Sequence, residues 1–299
     1  MNGLAVAPLA VATPMRHVER VMGTVASFDV RDPDAERDAR AAIDGAVAWL
    51  HDVDRRFSPY RPDSQVSRIA DGTLAETDAD ADVRAVLAMA DALARDSDGA
   101  FDVRRWQSDG RLDASGIVKG WAIEAAAAML VDAGLSRFAV GAGGDLVARG
   151  GIDPDGRWRV GIRHPDRPDR VAAVLAVRDA AVATSAPYER GAHIRDPRSG
   201  RVPGGVRSMT VVGPNLTWAD AYATTAYVLG ADGLDWVAAH DGYAALAIGW
   251  DDRLRWTAGM DLLFTRQARA SHAGGRPGRR SVHRRCSDRA DAPQPRWPD

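Results

Sequence analysis

The segment FAVGAGGDLVA, Phe138–Ala148, places two short apolar runs on either side of a cluster of glycines. A dinucleotide fingerprint would continue from such glycines into a helix, but here a second strand-like run follows, so the spacing reads as a tight turn between strands. The strands expected are Phe138–Val140 and Asp145–Ala148. The same short-run pattern continues at Trp158–Ile162, Val171–Val177 and Ser208–Val212, punctuated by Gly and Pro as in a meander. Ala244–Ile248 and Leu254–Trp256 close the series.

Upstream, Val21–Val30 alternates as a strand, and 34–53 carries the Ala, Val and Leu spacing of an amphipathic helix. A polar loop with Pro59 and Pro62 leads to a helix near 80–96, an irregular stretch over 99–113, and a helix over Ile117–Ala133 that Gly134 ends. A further helix runs from Trp218 to Leu229 and stops at Gly230. Helices interleaved with runs of short strands predict an α+β fold. We expect a single compact domain over 19–265, with a mixed, mainly antiparallel sheet and packed helices. Residues 1–18 read as a flexible arm, and 266–299, rich in Arg, Gly and Pro, as a disordered tail. Its arginines are either plainly solvated or a contact for nucleic acid or an acidic partner.

Bulk properties exclude several classes of function. The 299 residues are 45% hydrophobic and 27% charged, with a formal net charge of −2, so no overall field favours nucleic acid or an anionic membrane. Cys286 is the only cysteine, which rules out a disulfide framework within the chain. No run approaches the ~20 apolar residues that span a bilayer. The opening MNGLAVAPLAVATP lacks a basic n-region and Pro8 interrupts it, so the expected location is cytoplasmic. Of the 39 Lys and Arg residues only Lys119 is lysine. A lysine kept against that bias marks either chance or a site that needs a compact ammonium on a flexible stem.

The candidate chemistry falls in an ordered set of short motifs. Met22-Gly23-Thr24 comes first, at the start of the first expected strand. Phe57-Ser58-Pro59-Tyr60 follows, and Tyr60 reads either as a half-buried core aromatic or as a ligand contact. Next are Gly99-Ala100-Phe101-Asp102 and Asp113-Ala114-Ser115-Gly116-Ile117-Val118-Lys119-Gly120. The small residues of the latter, at a helix start, let a backbone approach a phosphate and offer it free N–H groups, while Asp113 could equally be a helix cap. Gly143-Gly144-Asp145 is the turn already described. Thr184-Ser185-Ala186, then His193-Ile194-Arg195-Asp196-Pro197-Arg198-Ser199-Gly200, then Ala219-Asp220-Ala221-Tyr222-Ala223-Thr224 complete the set. Asp220 and Thr224, at i and i+4, share a helix face and with main-chain and ligand oxygens would suit Mg²⁺. Alternatively Thr217 caps that helix and Asp220 completes a capping box.

In this order the motifs resemble those of the ApbE family of FAD:protein FMN transferases, over roughly Val21 to Phe264. The resemblance implies an enzyme that moves FMN from FAD to a Thr or Ser hydroxyl of an acceptor flavoprotein, with Mg²⁺ as cofactor and AMP as the leaving group. It implies FAD contacts from Met22, Tyr60, Gly99, Ala100, Phe101, Asp113, Lys119 and Ile194. It implies a Mg²⁺ site at Gly116, Asp220, Ala223 and Thr224, and His193 as the catalytic base. Where the family has Thr-Ser-Gly, this chain has Thr184-Ser185-Ala186. An FAD pyrophosphatase that uses water as acceptor, and a flavin carrier without turnover, are the competing expectations. A carrier has no use for the metal set or the base.

Overall fold

The computed structural model describes residues 14–33, 36–105, 112–152, 154–187 and 194–265. The expected tail at 266–299 and most of the expected arm lie outside these. The chain begins with a hairpin, β1 (Met15–Val21) and β2 (Thr24–Val30), paired from Met15↔Val30 to Val21↔Thr24. Two expectations are corrected here. Strand β1 occupies Met15–Val21, where the end of the arm was expected, and the single strand expected over Val21–Val30 is the second half of a hairpin. The turn between them is Met22-Gly23, both with positive φ (54° and 66°), the geometry that matches the twist of paired strands. Met22 carries a side chain into the left-handed region, at a cost of roughly 1–3 kcal/mol.

Helices α1 (Glu36–Phe57), α2 (Gln65–Ala70) and α3 (Ala81–Asp96) follow. In α1 the buried positions Ala39, Ile43, Ala46, Leu50, Val53 and Phe57 recur every three or four residues, so one stripe faces the core. Helix α2 occupies part of the expected polar loop; Ser64 caps it by accepting from the Ser67 N–H at 3.0 Å. Helix α4 (Ser115–Asp132) is apolar on most sides, with Ile117, Ile123, Ala126 and Leu130 fully buried, as a central helix must be.

The strands β3 (Phe138–Ala142), β4 (Asp145–Arg149), β5 (Trp158–Arg163), β6 (Val171–Val177), β7 (Ala180–Ser185) and β8 (Ser208–Gly213) come next. After them are α5 (Leu216–Leu229), α6 (Gly233–Ala238), β9 (Ala244–Ile248) and β10 (Leu254–Trp256). Eight strands form one sheet in the order β1-β2-β3-β4-β7-β8-β9-β10, and β5-β6 form a second. Every pairing between named strands is antiparallel, so the fold is α+β with an antiparallel sheet. Strand β7, rich in alanine, has little of the β-branched signal that reveals a strand in sequence.

The large sheet is covered on both faces. Val147, Ala181, Ala183, Val211, Ala245 and Ala247 join the helices in one core cluster. Their neighbours Ala148, Val182, Val212, Ala244 and Leu246 join Trp158, Val160, Ile162 and Leu175 of the small sheet in another. Alternate residues of a strand point to opposite faces, which is why β8 and β9 are buried at every position. No helix among the described residues is long and apolar enough to cross a membrane.

Candidate active-site cleft

Helices α4 and α5 cross where Gly120 sits. A Cβ there would lie 2.5 Å from the Leu216 carbonyl oxygen and 2.9 Å from Asp220 Cβ, so only glycine admits the approach. The Gly120 N–H donates to Asp220 Oδ2 at 3.0 Å. This decides between the two readings of Asp220 as far as its own helix is concerned. Asn215, not Thr217, caps α5, accepting from the Thr217 N–H at 2.9 Å, and Asp220 reaches across to α4.

Beside this crossing lies a cleft of about 720 Å³, within the size range of small-molecule sites. Two of its lining residues, Lys119 and Asp220, form a charged group with the buried Asp145. Lys119 Nζ contacts Asp145 Oδ2 and stands 3.3 Å from Asp220 Oδ1. Asp145 is 2% exposed and its second oxygen accepts from the Thr184 N–H at 2.9 Å. Burial of charge is tolerated here because each carboxylate has both an ammonium and a main-chain donor. Thr224 faces Ser185, with their hydroxyl oxygens 3.0 Å apart and both buried.

Two hairpin turns form one rim. Gly143 and Gly144 join β3 to β4 with φ of 58° and 91°, and a Cβ on Gly143 would lie 3.2 Å from Thr24 Oγ1, beside the Met22-Gly23 turn. Ser58, Pro59 and Tyr60, after α1, form another. Tyr60 is 85% exposed, which removes the reading of it as a core aromatic.

The residues singled out in the sequence therefore divide. Met22, Tyr60, Gly116, Lys119, Ile194, Asp220 and Thr224 line the cleft. Gly99, Ala100, Phe101, Asp113 and Ala223 are not among its lining residues. Phe101 lies behind the wall, where a Cβ on Gly116 would come within 3.1 Å of its ring. Gly99 stands beside Arg198, whose guanidinium holds the Asp196 carboxyl below the usual carboxylate range. Asp113 is buried and accepts from the Ser115 N–H at 2.9 Å, shaping the entry to α4. Ala223 is buried within α5. His193 lies outside the described residues. Among the described residues no three His, Cys, Asp or Glu side chains gather as a metal cluster.

Sequence reasoning gave Asp145 no role, although its motif was noted, because nothing local says that it meets Lys119. It also missed the wall formed by Val160, Gly161, Ile162 and Arg163 of β5, which no motif marks.

The family model described as "ApbE family" matches residues 22–106 and 103–247. A FAD:protein FMN transferase of Klebsiella pneumoniae is 32% identical over 148 residues, 46% of this chain and 42% of that protein. One from Rhodobacter capsulatus is 32% identical over 222 residues, 71% of this chain and 39% of that protein. The chain thus spans less than half the length of these relatives. A solved structure, the flavin transferase ApbE from Vibrio cholerae, covers 85% of this chain and all of its own, with a TM-score of 0.75 and 23% identity. That likeness is one of fold. A family model that runs from the Met22 turn almost to the end of β9 takes in every element around the cleft, and on that ground the chain belongs to the ApbE family.

Proposed function

We propose that this chain transfers the FMN half of FAD to a Ser or Thr hydroxyl of an acceptor protein and releases AMP. The observation that carries the reading is the convergence of Lys119, Asp220, Thr224 and Gly116 on one cleft from two helices. Gly116, in the first turn of α4, lines the same space, where a helix start suits a pyrophosphate. The names of the relatives supply the substrate class.

The oxygen donors fit Mg²⁺. The Asp220 carboxylate, the Thr224 hydroxyl and the Gly116 carbonyl are hard oxygen donors on residues that line one cleft, and the carboxylate would anchor the cation. Ala223 lies next to Thr224 in the same turn. When bound, Mg²⁺ would offset charge on the pyrophosphate oxygens.

Lys119 then serves as the protein's own cation toward the phosphates, steered by Asp145. Met22, Tyr60 and Ile194 would bound the flavin, while Gly99–Phe101 and Asp113 would act by supporting the wall. The acceptor oxygen bonds to the FMN phosphorus, the bond to the bridging oxygen breaks, and AMP leaves with that oxygen. His193, in the His-x-x-Asp-Pro-x-x-Gly motif, takes the hydroxyl proton.

The test is incubation with FAD, Mg²⁺ and candidate acceptor proteins, followed by a denaturing gel read for flavin fluorescence. Covalent label on an acceptor is the expected result. Free FMN and AMP with every acceptor unlabelled would replace transfer by pyrophosphate hydrolysis, and no turnover at all would leave a flavin carrier.

A further inference from the structure

Thr184 and Ser185 close β7 beside the cleft, yet neither is among the residues expected to hold FAD or Mg²⁺. Alternate residues of a strand share a face, so Ser185 stands on the face of Ala181 and Ala183. Those two alanines are fully buried in the core that holds the helices, and α5 lies against β7. Small side chains on that face let the helix come close enough for two short hydroxyl side chains to meet. Ser185 Oγ and Thr224 Oγ1 stand 3.0 Å apart, and both residues are buried and line the cleft.

Neighbouring threonines of α5 use their hydroxyls differently. Thr225 Oγ1 donates to the Ala221 carbonyl at 2.8 Å, the usual bond of a threonine to its own helix one turn back. Thr224 pairs across to the strand instead. A hydroxyl oxygen that ligates a cation spends a lone pair on it and keeps its proton, which then needs an acceptor. Ser185 Oγ is an acceptor in reach, so a cation on Thr224 sets the direction of the bond: Thr224 donates and Ser185 accepts. One residue earlier, the Thr184 N–H donates to Asp145 Oδ1 at 2.9 Å, and Asp145 in turn contacts Lys119. The end of β7 thus steadies a residue on each of the two helices that meet at the cleft.

We propose that Ser185 is a positioning residue for the Mg²⁺ site: its hydroxyl oxygen accepts the Thr224 hydrogen bond and so leaves a Thr224 lone pair for the cation. The inference rests on the reading of Thr224 as a Mg²⁺ ligand. Without Ser185 the Thr224 hydroxyl would do as Thr225 does and bond to the carbonyl one turn back, which turns its oxygen toward its own helix. Hydrogen-bond partners of metal ligands typically govern about 10- to 100-fold of metal affinity.

The test reads cation binding rather than turnover. Full-length protein with FAD and no acceptor is titrated with Mn²⁺, a paramagnetic stand-in for Mg²⁺, and free Mn²⁺ is followed by electron paramagnetic resonance. Ser185→Ala should raise the Mn²⁺ Kd about tenfold. Thr224→Val should raise it by a similar factor. Ser185→Ala added to Thr224→Val should then raise it no further, because Ser185 acts through Thr224. Ser185→Cys keeps nearly the same shape but offers only a weak sulfur acceptor, so it too should raise the Kd, and it decides where Ser185→Ala does not fold. An unchanged Kd in a folded Ser185 variant overturns the proposal. Factors that multiply in the double variant overturn it as well, since Ser185 would then act independently of Thr224. If Thr224→Val alone leaves Mn²⁺ binding intact, Thr224 is no ligand and the proposal falls with that reading. An unaltered protein that binds FAD but no Mn²⁺ would sink the Mg²⁺ site as a whole.

Discussion

The Gly120 N–H and Asp220 Oδ2, 100 residues apart in the chain, stand 3.0 Å apart where α4 crosses α5. One bond thus ties the helix that carries Lys119 to the helix that carries Thr224, and the carboxylate is oriented before any ligand arrives. Preorganisation of this kind moves the cost of ordering the site into folding.

Asp220→Asn separates the charge from this bond. The amide oxygen can still accept from Gly120, so stability should fall by only about 1–2 kcal/mol in urea unfolding. Transfer should fall by two orders of magnitude or more, because a neutral ligand holds Mg²⁺ poorly beside a pyrophosphate, a loss of about 3 kcal/mol or more in barrier terms. Wild-type transfer with an unchanged Mg²⁺ titration would show that Asp220 serves only to join the helices.

Gly120→Ala should be a packing lesion with a functional echo. Its methyl group would meet the Leu216 carbonyl at 2.5 Å, so α4 and α5 must separate. We expect a loss of about 1–3 kcal/mol, read from urea midpoints, and a higher Mg²⁺ requirement because Asp220 moves with α5. A variant as stable as the parent would mean that the crossing is looser than drawn.

Lys119→Met leaves Asp145, 2% exposed, without its ammonium partner. Removing one member of a buried pair typically costs about 3–5 kcal/mol, and since Lys119 is partly exposed the lower end is expected. Asp145→Asn in the same background should recover part of that stability without restoring FAD binding. If the double variant gains nothing over Lys119→Met, the pair contributes no coupling energy.

His193→Ala tests the proposed base directly. FAD affinity by calorimetry should survive, while transfer falls about 10²- to 10⁴-fold, the usual worth of a positioned base. Parallel loss of binding and transfer would make this histidine part of the FAD site instead.

Strand and helix periods were legible without coordinates wherever local pattern suffices. The glycine turn at 143–144, α3, α4 and the short strands around them appear near their expected places. Helix α2 was missed although Ser64 and the spacing of Val66 and Ile69 announced it. The hairpin turn at Met22 was missed for a physical reason. Methionine does not advertise a positive φ, and only the pairing of β1 with β2 imposes one.

By itself the sequence determined the α+β class, the order of the motifs and the family they belong to, because each of these depends on residues close together in the chain. Only the tertiary structure decided which of them meet. Periodicity says that a face is apolar but not what it packs against, so the Lys119–Asp145–Asp220 group and the Asn215 cap could not be read beforehand. The same holds for Phe101 and Asp113: the motifs carry the expectation of an FAD contact, and the structure buries both side chains outside the residues that line the cleft.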